Sequence, residues 1–121
     1  MKILVVEDDL LQSSWLENSL NDCGYEARCA YEGDDALCMW KLYCPDLVIT
    51  DYRYPGKTIR NGLDLIAAVW SIDPLQAFVM QTAEKNLAVP FGVRVIWKPY
   101  PLHRLLRLIK VSSSPLLSFH R

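Results

Sequence analysis

The amino-acid sequence predicts an α/β domain: a five-stranded, mainly parallel sheet with helices on both faces. Three observations predict it. Short continuous apolar runs, such as Ile3–Val6 and Leu47–Thr50, have the length and content of strands buried on both faces. Stretches of helical spacing separate such runs, from Leu16 and Leu20 near the start to Leu102, Leu105, Leu106 and Ile109 near the end. The chain has 121 residues, 51% of them apolar, which is enough to bury one core and one domain's worth of sheet.

Each element can be justified in order. Ile3–Val6 is strand one. Asp9 offers an N-cap for the helix carrying Leu16 and Leu20, and Gly24 ends it. Residues 27–30 form a weak second strand. Gly33-Asp34-Asp35 opens a helix carrying Ala36, Leu37 and Trp40, which stops before Pro45. Leu47–Thr50 is strand three and ends at Asp51. A loop follows, marked by Pro55, Gly56 and the pair Asn61-Gly62. The third helix places Leu63, Ile66 and Trp70 on one face, with Leu65 and Val69 beside them. Ala77–Met80 is strand four, ending at Thr82. Residues 84–90 have room for only a turn or two of helix before Pro90. Residues 93–97 form strand five, ending at Lys98. The last helix turns its leucines inward and His103, Arg104, Arg107 and Lys110 outward. The domain is expected over residues 1–111, with 112–121 as a tail or linker stub.

Charge is unevenly spread. Residues 1–84 carry 14 acidic and 6 basic side chains, whereas residues 85–121 carry 7 basic and no acidic ones. Such polarity marks either a face that receives a partner or two solvated faces of opposite sign. No apolar run approaches the roughly 20 residues needed to cross a membrane, and the start is too soon interrupted by acid for a signal peptide. The four cysteines, Cys23, Cys29, Cys38 and Cys44, form no Cys-x-x-Cys pair. Free and largely buried thiols in a reducing cytoplasm are expected. Trp15, Trp40 and Trp70 read as core or half-buried helix packing.

The chemistry stands at the strand ends. Strand one ends in Glu7-Asp8-Asp9, strand three in Asp51, strand four in Thr82 and strand five in Lys98-Pro99. In open α/β sheets, polar chemistry gathers at the carboxyl ends of the strands. Converging carboxylates raise each other's pKa unless a cation intervenes. An oxygen-rich acidic pocket suits Mg²⁺, which keeps several waters and often shares a phosphate. An aspartate can be the nucleophile for phosphoryl transfer. A lysine opposite it supplies a point charge for a phosphoryl oxygen, and a threonine hydroxyl can donate to another. Each element alone is ordinary; their joint occurrence at four strand ends is specific.

Over residues 2–110 the sequence resembles the receiver domain of two-component response regulators. The matching segments are residues 3–9, residues 46–51 with Pro55, then Thr82-Ala83, and then Lys98-Pro99-Tyr100. The resemblance implies a flavodoxin-like sheet of order 2-1-3-4-5. It implies that Asp51 accepts a phosphoryl group from a histidine kinase or histidine phosphotransfer protein. It also implies that Glu7, Asp8 and Asp51 hold Mg²⁺ with the backbone carbonyl of Arg53, and that Thr82 and Lys98 contact the phosphoryl group. Such a domain is a cytoplasmic signalling module rather than an enzyme with an external substrate, and it passes its signal to a downstream protein or a second copy.

Three departures from the family pattern stand out. The loop from Asp51 to Gly62 is longer than usual and contains Lys57 and Arg60. The segment from Thr82 to Lys98 is short, which curtails helix four. The position three before Lys98, commonly an aromatic switch residue, is Val95. Rival readings are weaker. A phosphatase of the haloacid dehalogenase type would need a second aspartate two residues after the first, where this chain has Arg53. A pseudo-receiver would keep the fold as a binding module without phosphorylation. Basic side chains on the last helix could touch nucleic-acid phosphates, but no DNA-binding motif follows them.

Overall fold

The computed structural model describes residues 1–112. The elements run β1 (Lys2–Val6), α1 (Leu10–Asp22), β2 (Glu26–Ala30), α2 (Gly33–Tyr43), β3 (Leu47–Asp51), α3 (Gly62–Ile72), β4 (Ala77–Thr82), β5 (Arg94–Trp97) and α4 (Leu102–Ser112). The five strands of the sheet pair in parallel, and their order is β2-β1-β3-β4-β5, as expected. Successive strand residues face opposite sides of a sheet. Leu4, Val6, Val48, Phe78 and Met80 therefore pack against α2 and α3 through Ala36, Trp40, Leu65, Ile66 and Val69. Ile3, Val5, Leu47, Ile49, Val79 and Ile96 face the other way, onto Leu16 and Leu20 of α1 and Leu105 and Ile109 of α4.

The helix starts follow from local chemistry. The Asp9 carboxylate accepts from the backbone N–H groups of Leu11 (2.9 Å) and Gln12 (3.1 Å), which satisfies two orphan donors of α1. Asn61 caps α3 by accepting from Asp64 N at 2.9 Å. Glu32 makes no side-chain cap; Asp34 and Asp35 lie in the first turn of α2, where negative charge suits the helix dipole. Asp34 also ties down the loop after β3: its carboxylate accepts from the N–H groups of Lys57 (2.6 Å), Thr58 (3.2 Å) and Ile59 (3.4 Å). Gly33 approaches the loop too closely for any side chain, and the loop folds as tightly on itself at Gly56. A Cβ on Gly33 or on Gly56 would lie 1.9 or 1.8 Å from the Ile59 carbonyl oxygen.

The curtailment of the helix between β4 and β5 goes to its limit: residues 83–93 hold turns and extended chain. A parallel crossover must carry the chain back along the sheet, and helix rises only about 1.5 Å per residue. Eleven residues containing Pro90 leave too little chain for helix plus two connections. Leu87, Val89 and Val93 cover the sheet there instead. The helices of the described residues are thus four. Two further expectations fail. Cys23, Cys38 and Cys44 are exposed and Cys29 is half-buried, because the first three lie at helix ends or on a solvent face. Trp15 is 46% exposed, beside Tyr100 at the rim of α1. Trp40 and Trp70 pack as expected, and their indole N–H groups donate to the side chain and backbone of Gln76. His103, Arg104, Arg107 and Lys110 face outward. The helix runs through Ser112, and the remainder of the expected tail, 113–121, lies outside the described residues. No helix among the described residues is long and apolar enough to cross a membrane.

Candidate functional site

The site grows out of strand parity. Glu7 extends the Ile3–Val5 side of β1, Asp51 the Leu47–Ile49 side of β3, Gln81 the Val79 side of β4 and Lys98 the Ile96 side of β5. All four side chains therefore emerge toward α1 and α4 at the carboxyl end of the sheet. The strand order makes β1 and β3 neighbours, so two carboxylates meet a third from Asp8. One oxygen from each of Glu7, Asp8 and Asp51 lies within 4.8 Å of the others. Asp8 is exposed, Asp51 is half-buried and Glu7 is buried.

Lys98 joins the set from the far side. Its Nζ donates to Asp51 Oδ2 (2.9 Å), Glu7 Oε2 (3.1 Å) and Gln12 Oε1 (3.0 Å). The peptide bond from Lys98 to Pro99 is cis. Burial alone would lower the lysine pKa, but the carboxylates of Asp51 and Glu7 outweigh it and hold the ammonium charged. Glu7 is pushed up to about 7, first by burial and then by the neighbouring Asp51, with Lys98 opposing both. A second cation placed among these carboxylates would relieve that repulsion, and their hard oxygen donors suit Mg²⁺.

The remaining expected residues are placed less directly. Thr82 ends β4 and is buried; its Oγ1 accepts from Glu84 N at 3.0 Å. Arg53 pairs in an isolated antiparallel bridge with Asn61, and Gly62 N donates to Tyr52 O at 2.7 Å. Those contacts fix the backbone just past Asp51. The Arg53 side chain reaches out to Glu84. Asp51 Oδ1 accepts from Tyr52 N at 3.2 Å. Three polar residues had no role assigned from sequence: Gln12, which shares Lys98; Gln81, whose Nε2 donates to Glu7 Oε2 at 3.3 Å; and Tyr100, whose hydroxyl donates to Gln81 Oε1. A lone glutamine in an otherwise apolar strand, in the same parity as the acidic residues, was the available signal for Gln81.

The comparisons agree with this fold. NtrX from Brucella abortus, solved in complex with ATP, superposes with a TM-score of 0.82 at 28% identity. That match covers 92% of this chain and 26% of the other, so the chain spans about a quarter of NtrX. A response regulator receiver domain protein from Clostridium thermocellum gives 0.82 at 25% identity, with 92% of each chain covered. A Francisella response regulator receiver domain gives 0.81 at 17% identity over 92% of this chain and 94% of its own, a likeness of fold alone. The family model of the response regulator receiver domain matches residues 3–110. The chain belongs to the response regulator receiver domain family.

Proposed function

We propose that this domain receives a phosphoryl group on Asp51 from a histidine kinase or histidine phosphotransfer protein, with Mg²⁺, and signals through the change in charge. The observation that carries this reading is the meeting of Glu7, Asp8 and Asp51 within 4.8 Å, with Lys98 on Asp51 Oδ2 from the opposite side. An Asp51 carboxylate oxygen attacks the phosphorus of the phosphohistidine. A P–O bond forms as the P–N bond breaks, and the departing imidazole nitrogen keeps the electron pair and takes a proton from solvent. Lys98 turns from Asp51 and Glu7 to a phosphoryl oxygen. The Thr82 hydroxyl, which accepts from Glu84 N, has its own proton to give to another.

Glu7, Asp8, Asp51 and the Arg53 carbonyl are the residues that would hold Mg²⁺. When bound, it neutralises charge on the transferring group. Glu7 is buried and already hydrogen-bonded, so it would reach the ion through a water, and Asp8 would be the direct ligand from the end of β1. Exposed free thiols at Cys23, Cys38 and Cys44 suit a reducing cytoplasm. The output goes to a downstream protein or a second copy, and not to nucleic acid by this domain alone.

The test is incubation with acetyl phosphate and Mg²⁺. One added phosphoryl group is expected, labile to base and hydroxylamine, absent from Asp51→Asn and absent in EDTA. Stoichiometric labelling of Asp51→Asn would move the acceptor elsewhere. An unlabelled wild-type chain would mean a pseudo-receiver, a binding module that works without phosphorylation.

A further inference from the structure

The polar network does not stop at Lys98. Gln81 lies two residues past Val79 on β4 and is 2% exposed. A buried amide costs free energy unless both of its ends are matched. Both ends are matched here: Nε2 faces Glu7 Oε2 at 3.3 Å, and Oε1 faces the Tyr100 hydroxyl. The direction of this chain is fixed by its end. The Glu7 oxygen that receives Gln81 also receives the Lys98 ammonium, so it is an acceptor. The amide must turn its NH₂ toward Glu7 and its carbonyl toward Tyr100, whose O–H must donate. The other Glu7 oxygen receives Asp9 N at 3.1 Å.

We infer that Gln81, oriented by Tyr100, is a positioning residue that fixes the Glu7 carboxylate for Mg²⁺. The inference rests on the phosphoacceptor reading and assigns that site an inner support. Lys98 cannot serve as that support in every state, because it leaves Glu7 when it turns to a phosphoryl oxygen. Asp9 N holds only the opposite oxygen. Gln81 sits on a strand, is buried, and has no competing partner among the hydrogen bonds described. Groups that orient a ligand from behind are typically worth about 10–100-fold in metal affinity, and the lower end applies to a carboxylate that meets the ion through a water. Tyr100 carries the support outward. Its ring lies 6.5 Å from Trp15 at 55°, and the two rings help wall a pocket of about 210 Å³ between α1 and the turn before α4.

The experiment measures Mg²⁺ affinity of the intact chain by tryptophan fluorescence and amide NMR, with melting curves as a control of folding. The variants are Gln81→Leu, Tyr100→Phe, Glu7→Gln and the double Gln81→Leu/Glu7→Gln. Gln81→Leu is expected to weaken Mg²⁺ about tenfold, and Tyr100→Phe to weaken it by less. Gln81→Leu should add nothing once Glu7 is already Gln, because its effect passes through that carboxylate. Equal losses with and without Glu7, or no loss in Gln81→Leu, would overturn the role. Should Gln81→Leu fail to fold, Tyr100→Phe decides, and an unchanged affinity there overturns it. Acetyl phosphate labelling is run alongside. Normal labelling with unchanged Mg²⁺ affinity in Gln81→Leu defeats the positioning role alone. A Glu7-dependent loss of affinity in a chain that is never labelled defeats the phosphoacceptor reading alone.

Discussion

Arg53 and Glu84 form an ion pair across the ends of two neighbouring strands, from the residue two past Asp51 to the residue two past Thr82. Both side chains are exposed, and the guanidinium also lies 5.0 Å from the Tyr52 ring centroid. Loss of a phosphoryl group needs a water in line behind the phosphorus. On the phosphoacceptor reading, the paired Arg53 and Glu84 flank the approach of that water to Asp51. Arg53→Ala and Glu84→Ala are each expected to speed autodephosphorylation on the order of threefold, the modest effect of a water-screened pair. The double variant should be no faster than either single one. Decay rates of the isolated phosphoprotein measure this, and three unchanged rates would mean two independent side chains.

Asp8 is exposed while Glu7 is buried and already bonded to Lys98, Gln81 and Asp9 N. Mg²⁺ titration should therefore show a larger loss for Asp8→Ala than for Glu7→Gln. The reverse order would make Glu7 the direct ligand.

Glu7 also predicts a pH effect on the metal-free protein. Its pKa is raised from 4.5 to about 7 in the fold. Between those values the native state holds a proton that the unfolded chain has released. The group's contribution to stability therefore falls as pH rises through that window and levels off above it. Glu7→Gln removes the titration. Relative to wild type, the variant should gain on the order of 2–3 kcal/mol between pH 4.5 and pH 8 in EDTA. Urea midpoints at the two pH values test this; parallel shifts in both proteins would contradict it.

Val95 has no ring to swing into space that Thr82 vacates, and no helix separates β4 from β5. Phosphorylation should therefore alter amide exchange chiefly in residues 53–61 and 82–90. A response centred on Val95 and α4, with those loops silent, would restore the usual aromatic coupling by some other residue.

The sheet and the convergence of polar side chains at its carboxyl edge were legible for one reason. Strands buried on both faces must be continuous apolar runs, and the first polar residue after each run is where the sheet's carboxyl edge begins. Glu7 and Lys98 follow their runs directly, and Asp8 and Asp51 stand one residue further on. Gln81 also follows its run directly, but with Thr82 behind it a glutamine reads as ordinary strand until its partners just past β1 and β5 are known. The exposure of Cys23, Cys38 and Cys44 was hidden for a related reason: thiols are small enough to fit either environment, so residue type alone says little. The curtailed helix was visible as a short stretch before Pro90, but its reduction to turns depends on how far the chain must travel back along the sheet.

Asp34 has a mechanical consequence. Its carboxylate grips three successive N–H groups of the loop beside Asp51, and Gly33 leaves no room for a side chain between helix and loop. The loop therefore has no slack of its own against α2. Any displacement that begins at Arg53 and reaches Lys57–Ile59 must drag the first turn of that helix or break its grip. The longer loop thus behaves as a lever hinged on a helix, and its stroke would surface on the flank of the domain opposite α1 and α4.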